Sequence, residues 1–100
     1  AILARHGVDV CLMTDHPFLN CRYFLHYAAI AHKYGLPFEE TLKSITINPA
    51  RALGIEDRVG SLEVGKDADF LVLGGEPFSY KGAILQTYIE GQRVWEREVY

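Results

Sequence analysis

The feature that most constrains this chain is the short apolar run GVDVCLM at Gly7–Met13. Its mainly apolar, β-branched character predicts a strand buried on both faces, as in a parallel sheet. Such a strand needs strand neighbours, and the stretch before it offers none. AILARHG begins at Ala1 rather than at an initiator Met and resembles the last turns of a helix capped by Gly7. We therefore expect the chain to be a piece of a longer protein.

Three patterns after the predicted strand favour helices. The first two cover CRYFLHYAAIAHKYG and LPFEETLKSIT, and the third covers NPARALGI. In the third, we expect Asn48 as the N-cap, Pro49 as the first helical residue and Gly54 as the terminating residue. The order of elements is thus one strand followed by three helices.

The remainder of the chain has β character. We predict a brief strand at Ser61–Glu63, a strand at Asp69–Gly74, and a hairpin, AILQTYIEGQRVWEREV, that turns at or near Glu90–Gln92. The boundary between the helical and the β region falls near residues 57–66. Because these strands would form an incomplete sheet, we expect another part of the polypeptide to complete it.

The connecting stretch GSLEVGKDAD is rich in glycine and acidic residues. It is not a phosphate-binding loop, because Asp67 rather than Ser or Thr follows Lys66. Gly60 and Gly65 are expected at turns that redirect the chain. We also expect a local ion pair between Lys66 and Asp69.

Composition excludes several functional classes. The chain has 100 residues, of which 49% are hydrophobic, and its net charge of -3 gives no electrostatic argument for binding to nucleic acid or to an anionic membrane. No apolar stretch approaches the roughly 18 residues of a membrane span. Cys11 and Cys21 lack a CxxC spacing. We expect them to be reduced thiols of a cytoplasmic protein with the role of small hydrophobes, in preference to a disulfide, a redox pair or zinc ligands.

The quartet TDHP places Asp15 and His16 directly after the predicted strand. Asp and Pro both favour turns, so a simple turn explains the pattern. The alternative is that the strand delivers the Asp15 carboxylate into a reaction site. These four residues alone do not decide between the two. The other histidines, His6, His26 and His32, lack metal-ligand spacing and are expected to be structural or solvated.

Three stretches resemble the C-terminal part of the amidohydrolase superfamily. They are GVDVCLMTDHP, TLKSITINPARALGIEDRVGSLEVGKDADFLVL and YIEGQRVW, and the TDHP form is most similar to an imidazolonepropionase-like branch. The resemblance implies an α/β fold that belongs to a (β/α)8 TIM barrel. Residues 1–56 would be the end of the barrel, with strand eight and the following helices. Residues 57–100 would be the C-terminal strands of a small composite β-sandwich.

The same resemblance implies a metal-dependent hydrolase that cleaves a C–N bond. Its substrate would be a small-molecule amide, cyclic or linear, or an N-heterocycle that is deaminated. Asp15 would be both a ligand to a divalent metal, with zinc expected, and the group that takes a proton from the metal-bound water. His16 would contact the substrate or, equally, would be a histidine on the rim of the site.

The other metal ligands implied by the resemblance cannot be found in this sequence, which contains no HxH motif. We therefore expect the chain to be inactive alone and to depend on the remainder of its own polypeptide. A non-catalytic scaffold or assembly protein of the same architecture is the alternative. A third alternative is that the chain folds by itself as an α+β module. The oligomeric state stays open, with a homo-oligomer among the expected states.

Overall fold

A computed structural model of the protein describes residues 1–79 and 82–98, and these form a helical region followed by a small sheet. The elements in chain order are α1 (Ile2–Arg5), a 3-10 turn (Cys21–Tyr23), α2 (Phe24–Lys33), α3 (Phe38–Ser44), α4 (Ile47–Leu53), β1 (Phe70–Leu73), β2 (Ile84–Ile89) and β3 (Gln92–Glu96). The predicted mixture of helices and strands is confirmed. None of the described helices is long and apolar enough to cross a membrane.

Helices α2, α3 and α4 pack through small side chains. Ala28, Thr41 and Ser44 are fully buried, and Ala50 is nearly so. The two hydroxyls are satisfied locally: Thr41 donates to the Leu36 carbonyl, and Ser44 donates to the Thr41 carbonyl at 2.6 Å. Because small residues occupy the contact, the helices approach closely while burying little apolar area.

The predicted strand at Gly7–Met13 is absent, and residues 8–14 have no regular secondary structure. The physical reason is that a strand exists only when a neighbour completes its hydrogen-bond ladder, and the strands described here pair only with one another. The segment is held instead by the helices, since the Leu12 amide donates to the Ser44 carbonyl at 3.0 Å. Cys11, expected inside this apolar run, is exposed.

Helix α4 begins earlier than predicted, after Thr46 rather than after Asn48. Asn48 lies inside the helix and does not cap it, because its side-chain amide donates to the Val10 carbonyl. Pro49 is accommodated in the first turn, where backbone N–H groups have no intrahelical partner. The predicted end is confirmed: Gly54 has φ of 72°, the left-handed conformation of a glycine C-cap.

The sheet is antiparallel with the order β1-β2-β3. Phe70 of β1 lies opposite Tyr88 of β2, and their rings stack with centroids 4.5 Å apart. The predicted hairpin is confirmed: β2 and β3 are joined by Glu90 and Gly91, with φ of 51° and 77°. Two positive φ values are typical of a type I′ turn, which matches the twist of the flanking strands. The Asp69 carboxylate supports the turn by accepting from the Glu90 amide at 2.8 Å.

The connection between α4 and β1 differs from two predictions. No strand forms at Ser61–Glu63; instead, the Ser61 hydroxyl donates to the Glu63 carboxylate at 2.6 Å. Lys66 pairs with Glu63 at 3.0 Å rather than with Asp69, because Asp69 is engaged at the hairpin turn. Gly60 and Gly65 have φ of 97° and 92°, which confirms the expected glycine turns.

The chain leaves much apolar surface uncovered. Its accessible area is 7,718 Å² for a mass of 11.3 kDa. A compact monomer of this mass would expose only about 5,700 Å², roughly 2,000 Å² less. Exposed apolar residues lie in every part of the described fold, among them Val8, Met13, Phe18, Val94 and Trp95. The buried core is correspondingly small, since Ala28, Leu36 and Ala50 are its buried hydrophobic members among the described residues.

Candidate active-site loop

Residues 14–20, called here the Asp15 loop, form a tight turn held by backbone hydrogen bonds. The Phe18 amide donates to the Asp15 carbonyl at 2.8 Å, and the Leu19 amide donates to the Thr14 carbonyl at 3.1 Å. The peptide bond between His16 and Pro17 is cis. Thr14 is buried, whereas the residues that follow it are exposed. The loop thus leads the chain from the buried Thr14 to an exposed Asp15.

Asp15 adopts φ of 50°, a conformation that Asp tolerates better than most residues. The expectation of a turn is therefore met. A turn does not compete with a chemical role, because the backbone makes the turn and leaves the side chain available. Within residues 1–79 and 82–98, no hydrogen bond or ion pair engages the Asp15 carboxylate, so both its oxygens are open to a ligand.

His16 is oriented by the backbone at the end of the same loop. Its Nδ1 accepts a hydrogen bond from the Cys21 amide at 3.2 Å. A neutral imidazole that accepts at Nδ1 carries its proton on Nε2. The exposed His16 ring can therefore donate a hydrogen bond from Nε2. Asn20 completes the anchor, since its side-chain oxygen accepts from the Arg22 amide at 2.9 Å.

The described residues do not fit a metal ion by themselves. Across the described ranges, no group of three or more His, Cys, Asp or Glu side chains is close enough to hold one. Protein metal sites of the zinc type use three or four such ligands. Asp15 offers one open carboxylate and Cys11 and Cys21 are free thiols, but the described residues do not combine them into a group of three ligands. Any metal bound at Asp15 would need donors from elsewhere.

The remaining histidines make local contacts, as expected for structural residues. His6 Nδ1 lies 2.9 Å from the Ile2 carbonyl of the same helix. His32 Nδ1 lies 2.7 Å from the Leu36 carbonyl, and its ring packs against Phe38. The His26 ring lies 5.9 Å from the Tyr23 ring, measured between centroids.

The model of the amidohydrolase family matches residues 1–94. The chain belongs to the amidohydrolase family. The resemblance found in its sequence motifs is thereby confirmed.

Solved structures of larger proteins contain the fold of this amidohydrolase chain. An amidohydrolase from Thermotoga maritima MSB8 is 45% identical with a TM-score of 0.90, over 95% of this chain and 25% of that one. The 5-methylcytosine deaminase from Klebsiella pneumoniae, liganded with phosphonocytosine, is 25% identical with a TM-score of 0.77, over 99% of this chain and 27% of that one. Both structural relatives are thus about four times as long as the matched chain.

Among curated relatives, the imidazolonepropionase of Pseudomonas aeruginosa is 45% identical over 74 residues, which cover 69% of this chain and 18% of that enzyme. The amidohydrolase chain spans less than a fifth of the length of the first curated relatives that it matches.

The connection between the two regions of the amidohydrolase chain has its own polar network. The Lys66 ammonium donates to the Ser61 hydroxyl at 2.7 Å, and that hydroxyl donates to Glu63. The hydrogen bond from Ser61, followed by the hydrogen bond and charge of Lys66, lowers the pKa of Glu63 below its ordinary 4.5. A groove of about 740 Å³ lies beside this network and does not include the Asp15 loop. The network stabilises the connection rather than forming part of the candidate site.

One polar residue linked to the Asp15 segment was not recognised from sequence. Asn48 is only 2% exposed, and its Nδ2 donates to the Val10 carbonyl at 3.0 Å. The two residues are 38 positions apart, so no local pattern reports the contact. The available sequence signal, Asn before Pro at the start of a helix, indicated a cap.

Proposed function

We propose that this chain is the C-terminal segment of a metal-dependent amidohydrolase that hydrolyses a C–N bond in a small amide or N-heterocycle. The observation that carries the proposal is the open Asp15 carboxylate, presented on a tight loop in a chain of this family. The named relatives agree with the bond type, because a deaminase and an imidazolonepropionase both act on nitrogen-bearing compounds. In this proposal the chain alone is inactive.

The proposed division of the chain follows its change of architecture. Residues 1–56 would close a (β/α)8 barrel. The segment before Asp15, which forms no strand in the described structure, would become the last barrel strand when the remaining polypeptide supplies a neighbouring strand. Residues 57–100 would be the C-terminal strands of a composite β-sandwich. Support comes from the helices that end at Leu53 and the strands that begin at Phe70. The roughly 2,000 Å² of excess surface also supports packing against the remainder of the same polypeptide.

Asp15 is assigned two roles within the complete site. Its carboxylate would be one ligand of a divalent metal, with zinc expected, and the other ligands would come from the remaining polypeptide. When present, a divalent metal would lower the pKa of a water molecule in the site towards neutrality. Asp15 would take the proton from the attacking water and donate it to the leaving nitrogen, as a general base and then a general acid.

His16 is assigned to substrate binding. With Nδ1 occupied by the Cys21 amide, its Nε2–H would donate to a carbonyl oxygen or ring nitrogen of the substrate. A rim histidine with no substrate contact is the alternative. Replacing His16 by Gln would raise KM in the first case and leave KM unchanged in the second. A cytoplasmic location and a homo-oligomeric assembly stay expectations.

The decisive experiment replaces Asp15 by Asn in the complete gene product. Purified protein would be analysed for bound metal and tested for turnover of imidazolonepropionate, 5-methylcytosine, dipeptides and cyclic amides. Loss of the proton-transfer group predicts a fall in kcat of about 10²–10⁴-fold. Asp9→Asn is the matched control, because it removes an exposed carboxylate from the same segment.

If turnover by the Asp15→Asn protein stays within about threefold of wild type, the assigned role is wrong. A threefold loss is far smaller than the loss expected when a general base is removed. A metal-free complete protein that turns over none of these compounds would instead favour the scaffold alternative.

A further inference from the structure

Asn48 links helix α4 to the segment that leads into the Asp15 loop. Its Nδ2 donates to the Val10 carbonyl at 3.0 Å, and the residue is 2% exposed. Its Oδ1 is also buried and accepts no hydrogen bond within the described ranges. The orientation of this amide is therefore set by the Val10 carbonyl: exchanging nitrogen and oxygen would bring two acceptors together.

A second hydrogen bond holds the same segment. The Leu12 amide donates to the Ser44 carbonyl at the end of α3, again at 3.0 Å. The Val10 carbonyl is thus bonded to α4, and the Leu12 amide is bonded to the end of α3. Asp15 follows Leu12 by three residues, with the buried Thr14 between them. The position of the Asp15 backbone therefore depends on how α3 and α4 hold residues 10–12.

We propose that Asn48 is a positioning residue, whose buried amide fixes the backbone that carries Asp15 in a catalytic geometry. The inference rests on the function proposed for Asp15 and extends it to a residue that touches neither substrate nor metal. A side chain used only as a helix cap would bond to its own helix, whereas Asn48 makes no capping bond. Because general acid–base catalysis is sensitive to placement, a shift of about 1 Å at Asp15 can lower the rate by about 10²-fold.

The test compares three variants of the complete gene product. Asn48→Asp is nearly isosteric and replaces the donor by an acceptor that repels the Val10 carbonyl. Asn48→Ala removes the side-chain amide. Thr41→Val is the matched control, since it removes an equally buried donor from the same helical layer, and that donor bonds only within α3 and its preceding turn.

Two measurements report on positioning rather than on stability alone. Hydrogen exchange followed by mass spectrometry measures the opening of residues 10–16 and needs no substrate. In both Asn48 variants we expect exchange there to be about tenfold faster or more, with Thr41→Val near wild type. With a substrate from the panel above, we expect kcat to fall by about 10–100-fold while KM changes by less than about threefold.

The outcomes separate this inference from the function on which it rests. Wild-type exchange at residues 10–16 in Asn48→Asp would overturn the positioning role, and so would an equal fall in kcat in Thr41→Val. If Asp15→Asn keeps its activity but the Asn48 variants speed exchange, the proposed function fails and the contact to Val10 stands. If Asp15→Asn is inactive and the Asn48 variants keep wild-type kcat, the proposed function stands and the positioning role is wrong.

Discussion

Replacement of Gly60 by Ala is expected to destabilise the connection between α4 and the sheet. Gly60 has φ of 97° and passes directly over α4. A Cβ built there would lie 2.7 Å from the Ala50 Cβ and 3.1 Å from the Ile47 Cα. These neighbours are the backbone and first side-chain carbon of a helix, so neither can rotate away. The chain or the helix must shift to admit the methyl group.

The expected loss of stability in Gly60→Ala has two parts, backbone strain and overpacking, and a matched variant at Gly65 separates them. Gly65 has φ of 92°, almost the same as Gly60, but nothing lies within 4 Å of its added Cβ. A non-glycine residue in a left-handed conformation costs about 1–2 kcal/mol, and both alanine variants incur this cost. Overpacking adds about 1–3 kcal/mol for Gly60→Ala only. The expected losses are therefore about 2–5 kcal/mol at Gly60 and about 1–2 kcal/mol at Gly65.

Equilibrium urea unfolding of the complete gene product, followed by far-ultraviolet circular dichroism, measures both losses. The slope of the unfolding free energy against urea concentration must be the same in the variants and in wild type for the comparison to report stability. Equal losses for Gly60→Ala and Gly65→Ala would refute the reasoning, because they would show that the connection does not pass over α4 at contact distance.

Two further predictions concern the connection and the hairpin. Ser61→Ala should raise the pKa of Glu63 towards 4.5, measured by carbon-13 NMR titration. Since the folded-state pKa is lowered, Glu63 contributes stability that is present above pH 4.5 and is lost as the pH falls through its folded pKa. The destabilisation caused by Ser61→Ala should therefore shrink below pH 4.5. A Glu63 pKa that is the same in Ser61→Ala and wild type would contradict the role given to Ser61. Glu90→Asn should raise the free energy of unfolding by about 0.5–1 kcal/mol, because Asn-Gly is the preferred pair in a type I′ turn. A lower melting temperature would show that the turn is of another type.

Capping and turn preferences in the sequence predicted the elements that are stabilised by residues close to one another in the chain. Gly54 ends α4 in the left-handed conformation, as predicted. Glu90 and Gly91 form the predicted hairpin turn, since two positive φ values suit only a few residue pairs. In these places, capping and turn preferences act within a few residues, so the sequence contains the information that decides them.

Partners that are distant in sequence escaped prediction. Asn48 has the residue type and the neighbouring proline of a helix cap, yet its amide bonds to Val10, 38 residues away. The predicted ion pair between Lys66 and Asp69 is wrong because Asp69 accepts a hydrogen bond from the Glu90 amide, 21 residues away. Lys66 pairs with its sequence neighbour Glu63 instead. Only the packing of α4 against residues 8–14, and of the connection against the hairpin, decides these contacts.

For the candidate site, the sequence by itself determined that Asp15 and His16 follow an apolar segment in a chain with amidohydrolase motifs. The tertiary structure decided that Asp15 presents an open carboxylate from a tight turn, that His16 is bonded through Nδ1, and that residues 10–12 are held by two helices. The physical reason is the range of the forces involved. Turn and helix preferences act over a few residues, whereas the placement of a reactive group depends on hydrogen bonds between segments that only folding brings together.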